Sequence, residues 1–281
     1  MSSDDIKVAI INSALAKFTQ ARITTLSEDT QERINSTTVF DVVRDRLLID
    51  YDWNFAIKRK TLTPPAEMTP SSITYSGTTA TVTLSAGNMT TLSSIGHGAV
   101  TTLHIYVSGA SPDDYNGTFQ ITGSTGNTFT YEMDENPGAN ASGTIVVYPV
   151  PGFEFDFLFV LPTTCLRVTE MYDPAEINYT VEDGNIYCDE DEKIQIKYVQ
   201  QVTDYTLWPP SAKNCLSILL AIEILPSIRG VADVNTRIRL LEEFDKEVLR
   251  AYVLNAIEGK PNIPKDMQSL DKGNSSWQTE K

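Results

Sequence analysis

The chain has 281 residues, 41% of them hydrophobic, and a net charge of −15 from 37 acidic and 22 basic residues. That is enough for one large domain or two small ones with a packed core. The acidic balance argues against a non-specific binder of nucleic acid or of a membrane surface, since either needs a basic face. Cys165, Cys188 and Cys215 are odd in number, widely spaced and without a CxxC pair. They read as small buried hydrophobes or thiols of a reducing compartment, not as a disulfide framework or zinc site. The polar, acidic first residues carry no signal-peptide pattern, and the most apolar run, 216–225, is too short for a bilayer and contains Glu223.

The first predicted helix covers 4–18. Asp4 and Asp5 sit in its first turn, where the dipole favours negative charge, and Val8, Ile11, Leu15 and Phe18 share a face. A second runs from an N-cap at Ser27 to about residue 50. Ile34, Val39, Val43 and Leu47 recur on one side of it, while Arg33, Asp41, Arg44 and Asp45 point mostly away. Tyr51-Asp52-Trp53-Asn54-Phe55-Ala56 ends the helix and opens an extended segment over 57–62, which Pro64 and Pro65 stop.

Composition then changes. Over 61–166 there is no Lys or Arg, and Ser, Thr, Gly and Asn dominate. Alternating runs appear at Ala80-Thr81-Val82-Thr83-Leu84, Leu103-His104-Ile105-Tyr106-Val107, Gly117-Thr118-Phe119-Gln120-Ile121, Thr128-Phe129-Thr130-Tyr131 and Thr144-Ile145-Val146-Val147-Tyr148. Period-two alternation of β-branched and aromatic residues predicts strands, with turns at Gly87-Asn88, Asn116-Gly117 and Gly126-Asn127. These strands predict a small sandwich or barrel over 70–149. Further short strands are predicted at 166–171, 178–181, 185–188 and 193–199, with Asp183-Gly184 as a hairpin turn. They fall between the second and third helices and are therefore assigned with the helices.

A third helix begins at Pro209-Pro210, passes Leu216, Leu219 and Ile222, is kinked or nearly ended by Pro226 and is closed by Gly230. The fourth, over 233–258, is capped by Asp233 and ended by Gly259, and carries Ile238, Leu241, Phe244, Val248 and Ala251 on one face. The predicted class is α+β. An antiparallel bundle of about four helices, with a short-stranded β-element, covers 1–69 and 150–258. An inserted all-β, sandwich-like domain covers 70–149, and an extended polar tail covers 259–281. The tail is too sparse in apolar residues to fold alone.

Five features occur in order. They are Ile11-Asn12-Ser13-Ala14-Leu15-Ala16 followed by Ala21-Arg22-Ile23-Thr24-Thr25-Leu26; Val43-Arg44-Asp45 in an acidic helix; Trp53-Asn54-Phe55-Ala56; Leu161-Pro162 leading into Cys165-Leu166-Arg167-Val168; and Ile196-Lys197-Tyr198 with Val202-Thr203-Asp204 before Leu219-Leu220-Ala221. Over 1–66 and 150–258 the sequence resembles the tail tubular protein A family, the head-to-tail adaptor of short-tailed phages. The resemblance implies a structural protein of the virion tail, assembled in the host cytoplasm as a dodecameric ring between the portal protein and the tail nozzle. Its central channel passes genomic DNA without sequence-specific binding, and tail fibres dock at or near the ring. The insert departs from the shortest members; Asp114-Tyr115-Asn116-Gly117-Thr118-Phe119 and Asn127-Thr128-Phe129-Thr130-Tyr131 resemble small β-modules that decorate phage structural proteins. Tail fibres or capsid are its expected partners.

No residue pattern predicts catalysis, a cofactor or a metal. His97 and His104, with Asp113 and Asp114, match no zinc spacing. Asp189-Glu190-Asp191-Glu192 lacks the alternating ligands and central glycine of a calcium loop and reads as a solvated hairpin edge or an interface charge patch. Trp53 and Phe55 read as core of the bundle. No His–acid partner accompanies the serines and threonines. In the tail, Ile263, Met267, Leu270 and Trp277 are the expected partner interface, ordering on the portal or a neighbouring subunit. The alternative reading is a receptor- or carbohydrate-binding tail module, in which exposed Tyr75, Tyr106, Tyr115 and Tyr131 of the insert stack on sugars. An enzyme such as a wall hydrolase ranks last, because no motif locates a carboxylate pair.

Overall fold

The structure, a computed structural model, describes residues 2–19, 21–96, 98, 100–172, 177–229 and 233–258. The fold is α+β, with five α-helices and twelve strands among the described residues. It divides into two compact units, one of Met1–Ile57 with Val199–Lys281 and one of Lys58–Tyr198.

The first unit is helical. Helix α1 (Ser3–Leu15) opens with a capping box: Ser2 Oγ accepts from the Asp5 N–H, and the Asp5 carboxylate accepts from the Ser2 N–H at 2.8 Å. Helix α2 (Gln31–Asp50) starts at Thr30, not Ser27. The intervening residues are tied into a turn by Glu28, whose carboxylate accepts from the Thr24 N–H and from the hydroxyls of Thr24 and Thr30. Its buried side is Ser36, Phe40, Val43, Arg44, Leu47 and Leu48, so Arg44, expected to face away, is only 5% exposed. Two carboxylates make that burial tolerable: Arg44 donates to Asp45 at 2.7 Å and Asp41 at 2.8 Å.

Later in this unit come helices α4 (Pro210–Arg229) and α5 (Val234–Glu258). Helix α4 is long and apolar enough to cross a membrane, but here it packs against α1, α2 and α5 and buries eleven residues. It continues through Pro226, which lies in its last turn and removes only one backbone donor. Asp233 caps α5, accepting from the Thr236 N–H at 3.2 Å. A chain of ring contacts runs Phe40–Tyr205–Trp208–Phe55–Trp53, with centroids 5.0–6.0 Å apart, and Trp53 donates its indole N–H to the Leu47 carbonyl. Trp53 is thus core, as its sequence position implies.

The second unit carries three sheets. The largest has the order β2-β3-β6-β5-β4-β7 and consists of β2 (Ser72–Ser76), β3 (Thr79–Thr83), β4 (His104–Ser108), β5 (Gly117–Thr125), β6 (Thr128–Glu132) and β7 (Val146–Val150). Two-residue turns close β2–β3 at Gly77 and β5–β6 at Gly126, both at positive φ where glycine is unstrained. The expected all-β character is corrected by helix α3 (Ala86–Ile95), placed where Gly87-Asn88 predicts a turn. Ser85 caps it through the Asn88 N–H, and Met89, Leu92 and Ile95 recur every third residue into the core. One continuous sheet with a helix therefore stands where two packed sheets are expected.

The other two sheets are β10-β11-β8, from β8 (Phe157–Val160), β10 (Tyr179–Glu182) and β11 (Asn185–Cys188), and β1-β12-β9, from β1 (Ile57–Leu62), β9 (Cys165–Tyr172) and β12 (Ile194–Gln200). Asp183 and Gly184 both have positive φ and form the β10–β11 hairpin turn. By contact these strands group in the Lys58–Tyr198 unit. The cause is a shared core: Leu158 lies in the apolar cluster of the large sheet, and Val160 and Tyr187 pack against it.

Candidate interaction surfaces

Helix α5 is long, and only part of its apolar surface is used. Leu240, Phe244 and Ala251 are buried, but Ile238 and Leu241, expected on that face, are 50% and 43% exposed. The buried stripe follows the side that also holds Glu247, which accepts from Asn214 of α4. A second, exposed stripe of Val234, Ile238, Leu241, Leu249 and Tyr252 occupies about 80° of arc on a 3.6-residue helix, away from the first. Of seventeen exposed large hydrophobics among the described residues, eight are on α5. Sequence periodicity merges the two stripes into one; only the packing against α4 separates them. An exposed apolar strip of this kind is a candidate interaction surface.

The second unit shows charge segregation. Lys58–Tyr198 contains six cations against seventeen carboxylates. Lys58, Arg59 and Lys60 lie on β1, Arg167 on β9 and Lys197 on β12, with Lys193 immediately before β12. Five of the six cations of this unit therefore lie on the β1-β12-β9 sheet. Lys58, Arg59 and Lys60 are exposed. Lys197 pairs with Glu170 at 3.3 Å. The Glu170 carboxyl lies below its usual range, first because Tyr172 donates to it, then through Lys197 and Arg59. The acidic run Asp189-Glu190-Asp191-Glu192 forms the β11–β12 turn; Asp189 accepts from the Asp156 N–H, while Asp191 and Glu192 are exposed.

The aromatic positions of the alternative reading are corrected in part. Tyr115 and Tyr131 are fully buried, and burial pushes both phenols up. Tyr115 donates to the Ala139 carbonyl and Tyr131 to the Tyr115 carbonyl, and Tyr131 stacks on Phe119 at 4.4 Å. They are core because their hydroxyls reach backbone acceptors there. Tyr75 is half-buried, and only Tyr106, against Tyr148 at 5.3 Å, is exposed.

A cavity of 690 Å³ has no titratable side chain among its described lining residues; Met89, Ser93, Ser94, Ser124, Asn127 and Thr163 are typical of it. No group of three His, Cys, Asp or Glu converges as a metal site among the described residues. His104 packs against the backbone of Gly152, where a Cβ would sit 2.7 Å from its ring. Burial pushes the Cys165 and Cys215 thiols up to about 11, and Cys188 is buried. His97 and the tail residues Ile263, Met267, Leu270 and Trp277 lie outside the described residues.

The sequence matches no known family profile and no characterised protein.

Proposed function

We propose that the chain is a structural subunit of a phage tail, the head-to-tail adaptor that joins portal to tail nozzle as a ring around the DNA channel. The observation that carries this reading is the second apolar stripe of α5, which in a soluble subunit calls for a partner surface. The ordered resemblance supports it. On this reading the helical unit is the adaptor's antiparallel bundle, and the large-sheet segment over 70–149 is an added module on the outside of the ring, facing fibres or capsid. The DNA passes an acidic wall that does not hold its phosphates. The tail over 260–281, through Ile263, Met267, Leu270 and Trp277, orders on the portal or a neighbouring subunit.

Two variants test it. Leu241→Glu with Leu249→Glu is expected to leave unfolding unchanged and to abolish co-sedimentation with the phage's portal. Deletion of 260–281 is expected to weaken assembly on the portal while the bundle stays folded. Portal association unaltered in both would remove the reading. The alternative, a carbohydrate-binding tail module, now rests on the exposed Tyr106 beside Tyr148, and glycan-array binding by the full chain would favour it.

A further inference from the structure

The sheet β1-β12-β9 carries five of the six cations of an otherwise strongly acidic unit, Lys193 preceding β12, and β1 is one of its edge strands. Lys58, Arg59 and Lys60 are three consecutive exposed cations on that edge, where charge also opposes β-pairing. Among the described residues, Lys58, Arg59 and Lys60 make no ion pair. The same chain carries a compact run of opposite sign: Glu190, Asp191 and Glu192 on the β11–β12 turn, also without ion pairs among the described residues.

We propose that the basic edge of the β1-β12-β9 sheet receives the acidic β11–β12 turn of a second copy of this chain. The two patches consist of different residues, so the contact gives each copy one donor and one acceptor surface. Charge pairing then sets partner and register, while the buried apolar area lies elsewhere. The proposal rests on the assembly reading above for the number of copies in the ring, and on the charge distribution alone for the contact.

A charge-swap experiment on the full chain tests it. One variant carries Lys58→Glu, Arg59→Glu and Lys60→Glu; the other carries Glu190→Lys, Asp191→Lys and Glu192→Lys, leaving Asp189 to hold Asp156. Circular dichroism checks that both fold. Sedimentation velocity over a concentration series should show self-association weakened on the order of tenfold or more in each alone, as three exposed pairs imply, and restored in an equimolar mixture. Added salt should weaken the unaltered chain and the mixture alike. Three results overturn the proposal: folded variants that associate like the unaltered chain, a mixture that fails to restore association, or an unaltered chain that stays monomeric throughout. Duplex DNA bound by the unaltered chain, lost in the triple Glu variant and with no rescue of self-association on mixing, would assign the edge to DNA instead. Stacking on the portal is read separately, so a failed swap with stacking intact sinks only this contact.

Discussion

Asn12 holds Ile23 by both polar groups of its backbone: its Nδ2 donates to the Ile23 carbonyl and its Oδ1 accepts from the Ile23 N–H, each at 2.8 Å. The side chain thereby mimics a strand partner and fixes the connector after α1 against the helix. Ile23 itself is buried. Asn12→Ala removes both bonds and leaves two part-buried backbone groups unpaired, for an expected loss of about 2 kcal/mol in urea unfolding. A loss under about 0.5 kcal/mol would show that the pairing contributes no net stability.

Arg44 is the second fixed point of the helical unit. Burial by itself pushes its pKa down, but the hydrogen bonds it donates to Asp45 and Tyr205 raise it overall, so it stays charged. Arg44→Ala strands the Asp45 carboxylate, which then keeps only Gln201 at 2.8 Å. The expected cost is about 2 kcal/mol, below the cost for a fully buried pair because Asp41 and Asp45 are partly solvated. Equal stability of Arg44→Ala and the unaltered chain would contradict this.

The motifs Ile11-Asn12 and Val43-Arg44-Asp45 were legible as sequence, but their jobs were not. Helical periodicity places Arg44 beside Val43 and Leu47 without saying which way the helix is turned, and charge alone puts Arg44 outside. Burial needs a neighbour such as Tyr205, far along the chain. Strands were more readable, since alternation and the Asp183-Gly184 turn are local signals; β1 and β11 fall at their predicted bounds. Helix α3 stands where the Gly87-Asn88 pair predicts a turn, because Ser85 caps a helix there. The basic sheet has no local sequence signal, because its cations lie far apart in sequence and meet only through strand order.

Gly109 and Gly143 face each other so closely that a Cβ on Gly109 would lie 2.1 Å from the Thr144 carbonyl oxygen and one on Gly143 2.3 Å from the Gly109 oxygen. Both have positive φ, at 76° and 113°. Alanine at either position must move backbone, not a side chain, and is expected to cost about 2 kcal/mol or more, read as a lowered thermal midpoint. Alanine variants as stable as the unaltered chain would refute the close approach.

Burial raises the Cys165 and Cys215 thiols to about 11. The folded state favours the neutral thiol, so the stability it confers is complete below the unfolded thiol value, near pH 8.5, and is lost as pH rises towards 11. Urea midpoints should fall over that window, and Cys165→Ala with Cys215→Ala should reduce the fall. Rapid labelling of both thiols at pH 8 in the folded chain would contradict the assignment.

The adaptor reading is tested most directly by mixing the purified chain with the phage's portal and imaging the product by electron microscopy. The account predicts an additional ring stacked on the portal, with the 70–149 module projecting at its rim. An intact portal that gains no ring at saturating chain would contradict it.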